Sequence, residues 1–197
     1  KVTFQYKGGI VDFVKHLNQS REALFTKVAQ YEASEDDQTL DIALQWNTGY
    51  YEGIYGYANG ISTVEGGMHV EGFKTALTSV VNKYARASGA LKEKDDNLLG
   101  EDIREGITAI VAVKLREPQF EGQTKAKLGN VSIRSFVQKE TNAQLEEWMQ
   151  ENRLAVNNGL RTEITEGFIE RLRGLFAESY IEIPEEKLDL FESTVED

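Results

Sequence analysis

The nine residues Ile107-Thr108-Ala109-Ile110-Val111-Ala112-Val113-Lys114-Leu115 constrain the fold more than any other stretch of this chain. Their run of Ile, Val and Ala reads as a strand covered on both faces, and Pro118 ends it. Such a strand needs apolar elements to bury it, and the rest of the chain offers them. Phe73, Leu77, Val80, Val81 and Tyr84 line one face of a helix over about residues 69–86. Ile133, Phe136, Val137, Leu145, Trp148 and Met149 line a second, whose single face predicts an unbroken helix over about residues 131–150. Near the start, residues 2–6 alternate as a short strand. Gly8-Gly9 breaks it before Ile10, Phe13, Val14 and Leu17 recur at helical spacing.

Leu40, Ile42, Leu44 and Trp46 alternate strictly, the signature of a half-buried strand. Asn47-Thr48-Gly49 supplies a turn, and Tyr51, Ile54, Tyr55 and Tyr57 fit a partner strand. The expectation is an antiparallel hairpin in which the tyrosines pack across strands, a commoner role than base stacking. Residues 19–38 show weak periodicity and end in Glu35-Asp36-Asp37-Gln38, which reads as a loop or an insert. A charged loop over residues 91–97 leads to a short turn after Gly100-Glu101-Asp102. Further on, Leu160, Ile164, Phe168, Leu172, Leu175 and Phe176 predict an amphipathic helix over 159–179, and Pro184 with Glu185-Glu186 opens another.

A chain of 197 residues, 40% hydrophobic and 28% charged, suits one globular domain with a small annex. With no cysteine, disulfides, thiolate metal sites and thiol nucleophiles are excluded, and a reducing, cytoplasmic setting is the simplest fit. No apolar run approaches the ~20 residues of a membrane helix, and the start at Lys1 reads as that of a fragment. The net charge of -11 is unevenly placed. Residues 1–144 hold 17 basic and 19 acidic side chains, whereas residues 145–197 hold 5 and 14. That asymmetry divides the chain into a domain over 1–144 and an acidic helical segment over 145–197.

The segment from Pro118 to Asn130, Pro-Gln-Phe-Glu-Gly-Gln-Thr-Lys-Ala-Lys-Leu-Gly-Asn, stands out chemically. Gly122 and Gly129 permit unusual backbone angles, Gln123 and Thr124 donate hydrogen bonds, and Lys125 and Lys127 supply charge that a phosphate would stabilise. Residues 114–139 carry six basic residues against two Glu. By composition alone a solvated basic loop fits better than a phosphate site. Glu65-Gly66-Gly67-Met68-His69 could place a carboxylate beside an imidazole, although a glycine turn opening the following helix fits better still. His16 reads as a surface residue. Two distant histidines without cysteine form no metal constellation, and no Walker A loop, dinucleotide fingerprint or nucleophile elbow occurs.

Four motifs in order resemble the transducer domain of the DNA gyrase B family: Gly8-Gly9-Ile10-Val11-Asp12-Phe13 through Asn18, Glu65-Gly66-Gly67-Met68-His69 with Gly72-Phe73, Gly100-Glu101-Asp102-Ile103-Arg104-Glu105-Gly106, and Pro118 to Asn130. The resemblance covers about residues 1–144. It implies an α+β, ribosomal-protein-like second-domain fold with a left-handed βαβ unit, a mixed sheet and helices on one face. It also implies a role in coupling ATP binding and hydrolysis to DNA strand passage and negative supercoiling. In that family the Gln-Thr-Lys loop reaches into the neighbouring ATPase domain and contacts the ATP γ-phosphate, which would fall here to Gln123 and Lys125. The resemblance implies ATP and magnesium as cofactors of the intact enzyme, and gyrase A, a second copy of gyrase B and DNA as partners.

This sequence departs from the family pattern in several places. Met68 stands where Thr is usual. The family's nucleotide-binding domain precedes this region and its metal-binding TOPRIM domain follows it, so no catalytic residue is assigned. The chain alone is expected to bind neither ATP nor magnesium and to be inactive. A gyrase helix would continue past Trp148 rich in Lys and Arg, whereas this chain turns acidic from Glu146. Residues 146–197 resemble the prohead core scaffolding proteins of T-even-like bacteriophages, through Glu146-Glu147-Trp148-Met149, Gly159-Leu160-Arg161 and Tyr180-Ile181-Glu182-Ile183-Pro184. That second resemblance implies the alternative of a structural or assembly protein, or a chimera, self-associating through its C-terminal helices.

Overall fold

The structure, a computed structural model, describes residues 8–153. The strand expected at residues 2–6 and the helices expected beyond residue 153 lie outside the described residues. Helix α1 (Gly9–Leu17) leads into strands β1 (Ala29–Glu35), β2 (Gln38–Trp46), β3 (Gly53–Ala58) and β4 (Ile61–Ser62). Helix α2 (Met68–Ala87) and the short α3 (Gly100–Arg104) precede β5 (Ile107–Leu115). The two-residue strands β6 (Phe120–Glu121) and β7 (Lys127–Leu128) and helix α4 (Val131–Glu151) complete the order.

The first five strands form one mixed sheet in the order β1-β2-β5-β3-β4. The uninterrupted apolar run is thus the middle strand, as its lack of alternation requires. β2 pairs with β5 antiparallel and β3 pairs with β5 parallel. A parallel pair needs a crossover, which α2 and α3 supply.

Register assigns the two faces. Ala43 and Ile110, directly paired, pack with Val14 of α1. Gly56 and Val111 are paired on the opposite face, where a Cβ on Gly56 would meet His69 and Val70 of α2. Tyr31 pairs with Ile42, which pairs with Val111, and the Tyr31 hydroxyl donates to Thr141 Oγ1 of α4 at 3.2 Å. So α2 and α4 cover one face and α1 covers part of the other, which corrects the expectation of helices on one face alone. Phe73, Leu77, Ile133, Leu145 and Met149 are buried along α2 and α4, each side chain contributing ~1.5–3 kcal/mol through burial. Trp148 is only half-buried and packs with Phe25, which in turn meets Trp46.

The hairpin expected between Leu40–Trp46 and the tyrosine strand does not form, because β5 lies between β2 and β3. The two strands do run in opposite senses, since one is antiparallel and the other parallel to β5. The segment read as a loop or insert instead contains β1, and Glu35 pairs with Gln38 around a two-residue turn at Asp36-Asp37. Asp36 takes the left-handed conformation such a turn demands, with φ 51°. Tyr50 and Tyr51 lie outside the strand and are exposed, so they are not cross-strand packing partners. Among the described residues no helix is long and apolar enough to cross a membrane.

Candidate functional site

The Gly-Gln-Thr-Lys segment is the tip of a small hairpin rather than an irregular loop. Beyond Pro118, Phe120 pairs with Leu128 and Glu121 with Lys127. The Gly129 amide donates to the Gln119 carbonyl at 2.7 Å. Asn130 precedes α4, where its type commonly caps the helix. Here its side chain turns back, with Oδ1 accepting from the Gln119 amide at 2.7 Å and Nδ2 donating to the Glu117 carbonyl at 3.0 Å. Both ends of the hairpin are thereby tied at its root.

At the tip, Gln123, Thr124 and Lys125 are exposed. Gly122 and Lys125 both have positive φ, 75° and 55°. A left-handed lysine is uncommon, and such residues persist where the surroundings impose them. The two lysines differ in their surroundings. Lys127 is paired with Glu121 at 3.0 Å, whereas Lys125 forms no ion pair among the described residues, and its ammonium lies 5.8 Å from the centre of the Phe120 ring. The tip therefore carries a lysine with no carboxylate partner among the described residues, next in sequence to an exposed glutamine and threonine, residue types suited to a phosphate oxygen.

The hairpin also rests on the Glu65-Gly66-Gly67 segment. The Glu65 amide donates to the Ala126 carbonyl at 2.9 Å, and the Leu128 amide donates to the Gly66 carbonyl at 3.2 Å. Gly67, with φ 130°, approaches so closely that a Cβ there would overlap the Leu128 backbone. Two motifs more than fifty residues apart in sequence thus form one unit.

They do not combine a carboxylate with an imidazole, however. Glu65 is exposed while His69 is fully buried, its Nε2 lying 3.2 Å from Thr63 Oγ1. Burial lowers the His69 pKa to about 4, so the ring is neutral near pH 7. His16 is exposed. No group of three or more His, Asp or Glu among the described residues could hold a metal ion.

Sequence reasoning missed two polar clusters. Asn18, Gln45, Asn47 and Thr108 are buried and mutually bonded: Thr108 Oγ1 donates to Asn18 Oδ1 at 2.7 Å, and Asn18 Nδ2 donates to Gln45 Oε1 at 3.0 Å. Glu52 bridges Lys74 of α2 and Arg104 of α3 at 2.6 and 3.0 Å. Burial alone would raise the Glu52 pKa, but hydrogen bonds from Lys74 and Arg104 outweigh it and hold the carboxyl below the ordinary value. The available signal was three polar residues, Gln45 and Thr108 near the ends of β2 and β5 and Asn47 just beyond β2.

The family model for DNA gyrase B matches residues 9–169 of this chain. The DNA gyrase B protein of Mycobacterium tuberculosis is 53% identical over 150 residues, covering 76% of this chain and 22% of that protein. Its Streptomyces coelicolor counterpart is 55% identical over 154 residues, covering 77% and 22%. The chain thus spans about a fifth of the length of the curated relatives it matches. The 43K ATPase domain of Thermus thermophilus gyrase B, solved with an aminocoumarin, matches with a TM-score of 0.75 and 32% identity over 87% of this chain and 47% of that one. The topoisomerase IV ATP-binding domain of Francisella tularensis, at 24% identity, shares the fold, with a TM-score of 0.65 over 84% and 45% of the two chains.

Proposed function

Because this chain belongs to the DNA gyrase B family, we propose that it is the transducer part of an ATP-dependent type II topoisomerase, with Gln123 and Lys125 contacting the γ-phosphate of ATP. The left-handed βαβ unit of a ribosomal-protein-like second domain belongs to the same reading. The observation that carries it is the hairpin tip, where Lys125 is exposed and has no carboxylate partner among the described residues while Lys127 is paired with Glu121. On this reading the adenine pocket, the magnesium ligand and the base that activates water would be supplied from outside this chain. Gln123 and Lys125 would hold the γ-phosphate while ATP is bound and would lose that contact on its hydrolysis. The hairpin root, tied by the Asn130 side chain, would couple that contact to α4, which begins at the next residue. Gyrase A, a second gyrase B and DNA are the partners that this role requires.

A second reading follows from the Thermus ATPase-domain structure, of which this chain covers 47%. On that reading the chain would hold nucleotide by itself. Titration calorimetry with a non-hydrolysable ATP analogue separates the two. The transducer reading expects no saturable heat with this chain and a binding isotherm once the preceding part of the relatives is joined to it, whereas an isotherm with the chain alone would overturn it. The phage-scaffold alternative is not favoured. The gyrase B match continues to residue 169, past Glu146 where that resemblance begins, and the self-association seam from Leu160 to Leu175 lies outside the described residues.

A further inference from the structure

Building on the γ-phosphate reading of the hairpin, we propose that the buried Thr63–His69 pair positions that hairpin, making His69 a positioning residue for the Gln123–Lys125 tip. His69 lies in the first turn of α2 and is fully buried. Its Nε2 is 3.2 Å from Thr63 Oγ1, and Nδ1 has no hydrogen-bond partner among the described residues. A buried lone pair left bare is tolerated better than a buried N–H left bare, so the proton belongs on Nε2, which donates to the threonine hydroxyl. The surroundings leave the pair no freedom. A Cβ on Gly56 would lie 2.5 Å from Thr63 Oγ1 and 2.8 Å from His69 Nε2, so β3 presses directly on both.

Thr63 is the first link of a chain of bonds from the sheet to the hairpin. Its amide donates to the Gly56 carbonyl at 2.9 Å, and its carbonyl accepts from the Gly66 amide at 2.8 Å. Gly66 and Glu65 then hold Leu128 and Ala126 through the two bonds described above, and Ala126 adjoins Lys125. The hairpin's own ladder has only two residue pairs. Beyond the bonds at its root, its orientation rests on this outside support, and the imidazole clamps the link nearest the sheet.

The test measures amide hydrogen exchange by NMR in the 197-residue chain, without nucleotide. His69→Leu keeps apolar bulk but loses the bond, Thr63→Val removes the acceptor from the other side, and His69→Gln places an amide N–H near the position of Nε2. Exchange at Glu65 and Leu128 should accelerate about tenfold or more in the first two variants while Ile42 and Val111 keep their protection, and His69→Gln should restore it to within about threefold of wild type. Nitrogen-detected imidazole spectra should show the Nε2–H tautomer. Unchanged exchange at Glu65 and Leu128, equal acceleration throughout β2 and β5, failure of the glutamine to rescue, or an Nδ1–H ring would each overturn the proposal. Should His69→Leu fail to fold, Thr63→Val alone carries the same comparison. No nucleotide enters these measurements, so the brace can fail while the γ-phosphate contact stands, and the reverse.

Discussion

Lys125 and Lys127 stand two residues apart on one hairpin, in different surroundings. Glu121 neutralises Lys127, while Lys125 is held in a left-handed conformation at an exposed tip. Gly67 is the residue on which their common platform depends. Gly67→Ala puts a methyl group into the Leu128 backbone at a φ that L residues avoid. Urea denaturation should show a loss of ~2–4 kcal/mol, with the hairpin amides shifting furthest. His69 imposes a pH dependence. In the unfolded chain an ordinary imidazole gains its proton as pH falls through 6.5, whereas the buried ring stays neutral down to about 4. The contribution of His69 is fully present above pH 6.5 and weakens as pH falls from 6.5 towards 4, by up to roughly 3 kcal/mol. Stability curves measured over that range should be flatter in His69→Gln than in wild type, and parallel curves would contradict the assignment. These pairings could not be read from the sequence. Glu65 and His69 could have supplied a carboxylate and an imidazole to one site, although the glycine turn was the better reading, and the structure leaves Glu65 exposed and His69 buried.

At the scale of elements, periodicity identified α1, α2, β2 and α4 and an unbroken apolar run identified β5, and α4 runs unbroken from Val131 to Glu151 as its single apolar face requires. What periodicity could not supply was adjacency. The strands β2 and β3 alternate alike whether they pair with each other or flank a third strand, and only the apolar character of β5 hinted that it belonged between them. β1 was missed because it is an edge strand with burial on a few positions only, and its two-residue acidic turn resembled a loop. That edge is fastened to α4 by the Tyr31–Thr141 bond, inside a core that pushes the phenol pKa upward through burial. Thr141→Val leaves the Tyr31 hydroxyl buried without a partner and should lower stability by ~1–3 kcal/mol. Tyr31→Phe should be milder, since a helical threonine can bond to its own backbone instead. A double-mutant cycle followed by urea denaturation checks both, and a Tyr31→Phe loss larger than that of Thr141→Val would count against this account.

For the whole molecule, the four ordered motifs were the most informative signal for the family; the solvated basic segment that composition favoured is the exposed tip of a braced hairpin. Their physical meaning emerges only when the sheet brings residues 63–69 and 120–130 together, a juxtaposition that no local pattern encodes. The central claim is that this platform aims one particular cation at a nucleotide bound elsewhere in the longer protein. It is tested most directly by comparing ATP turnover of Lys125→Ala and Lys127→Ala in a protein extended to the full length of its relatives. Lys125→Ala should lower turnover about 10- to 100-fold, as expected for the loss of one charge-assisted contact to phosphate, without changing the thermal midpoint. Lys127→Ala should stay within about threefold of wild type, because an exposed ion pair of this kind contributes little. Unchanged turnover in Lys125→Ala, or an equal loss in both variants, would contradict the account.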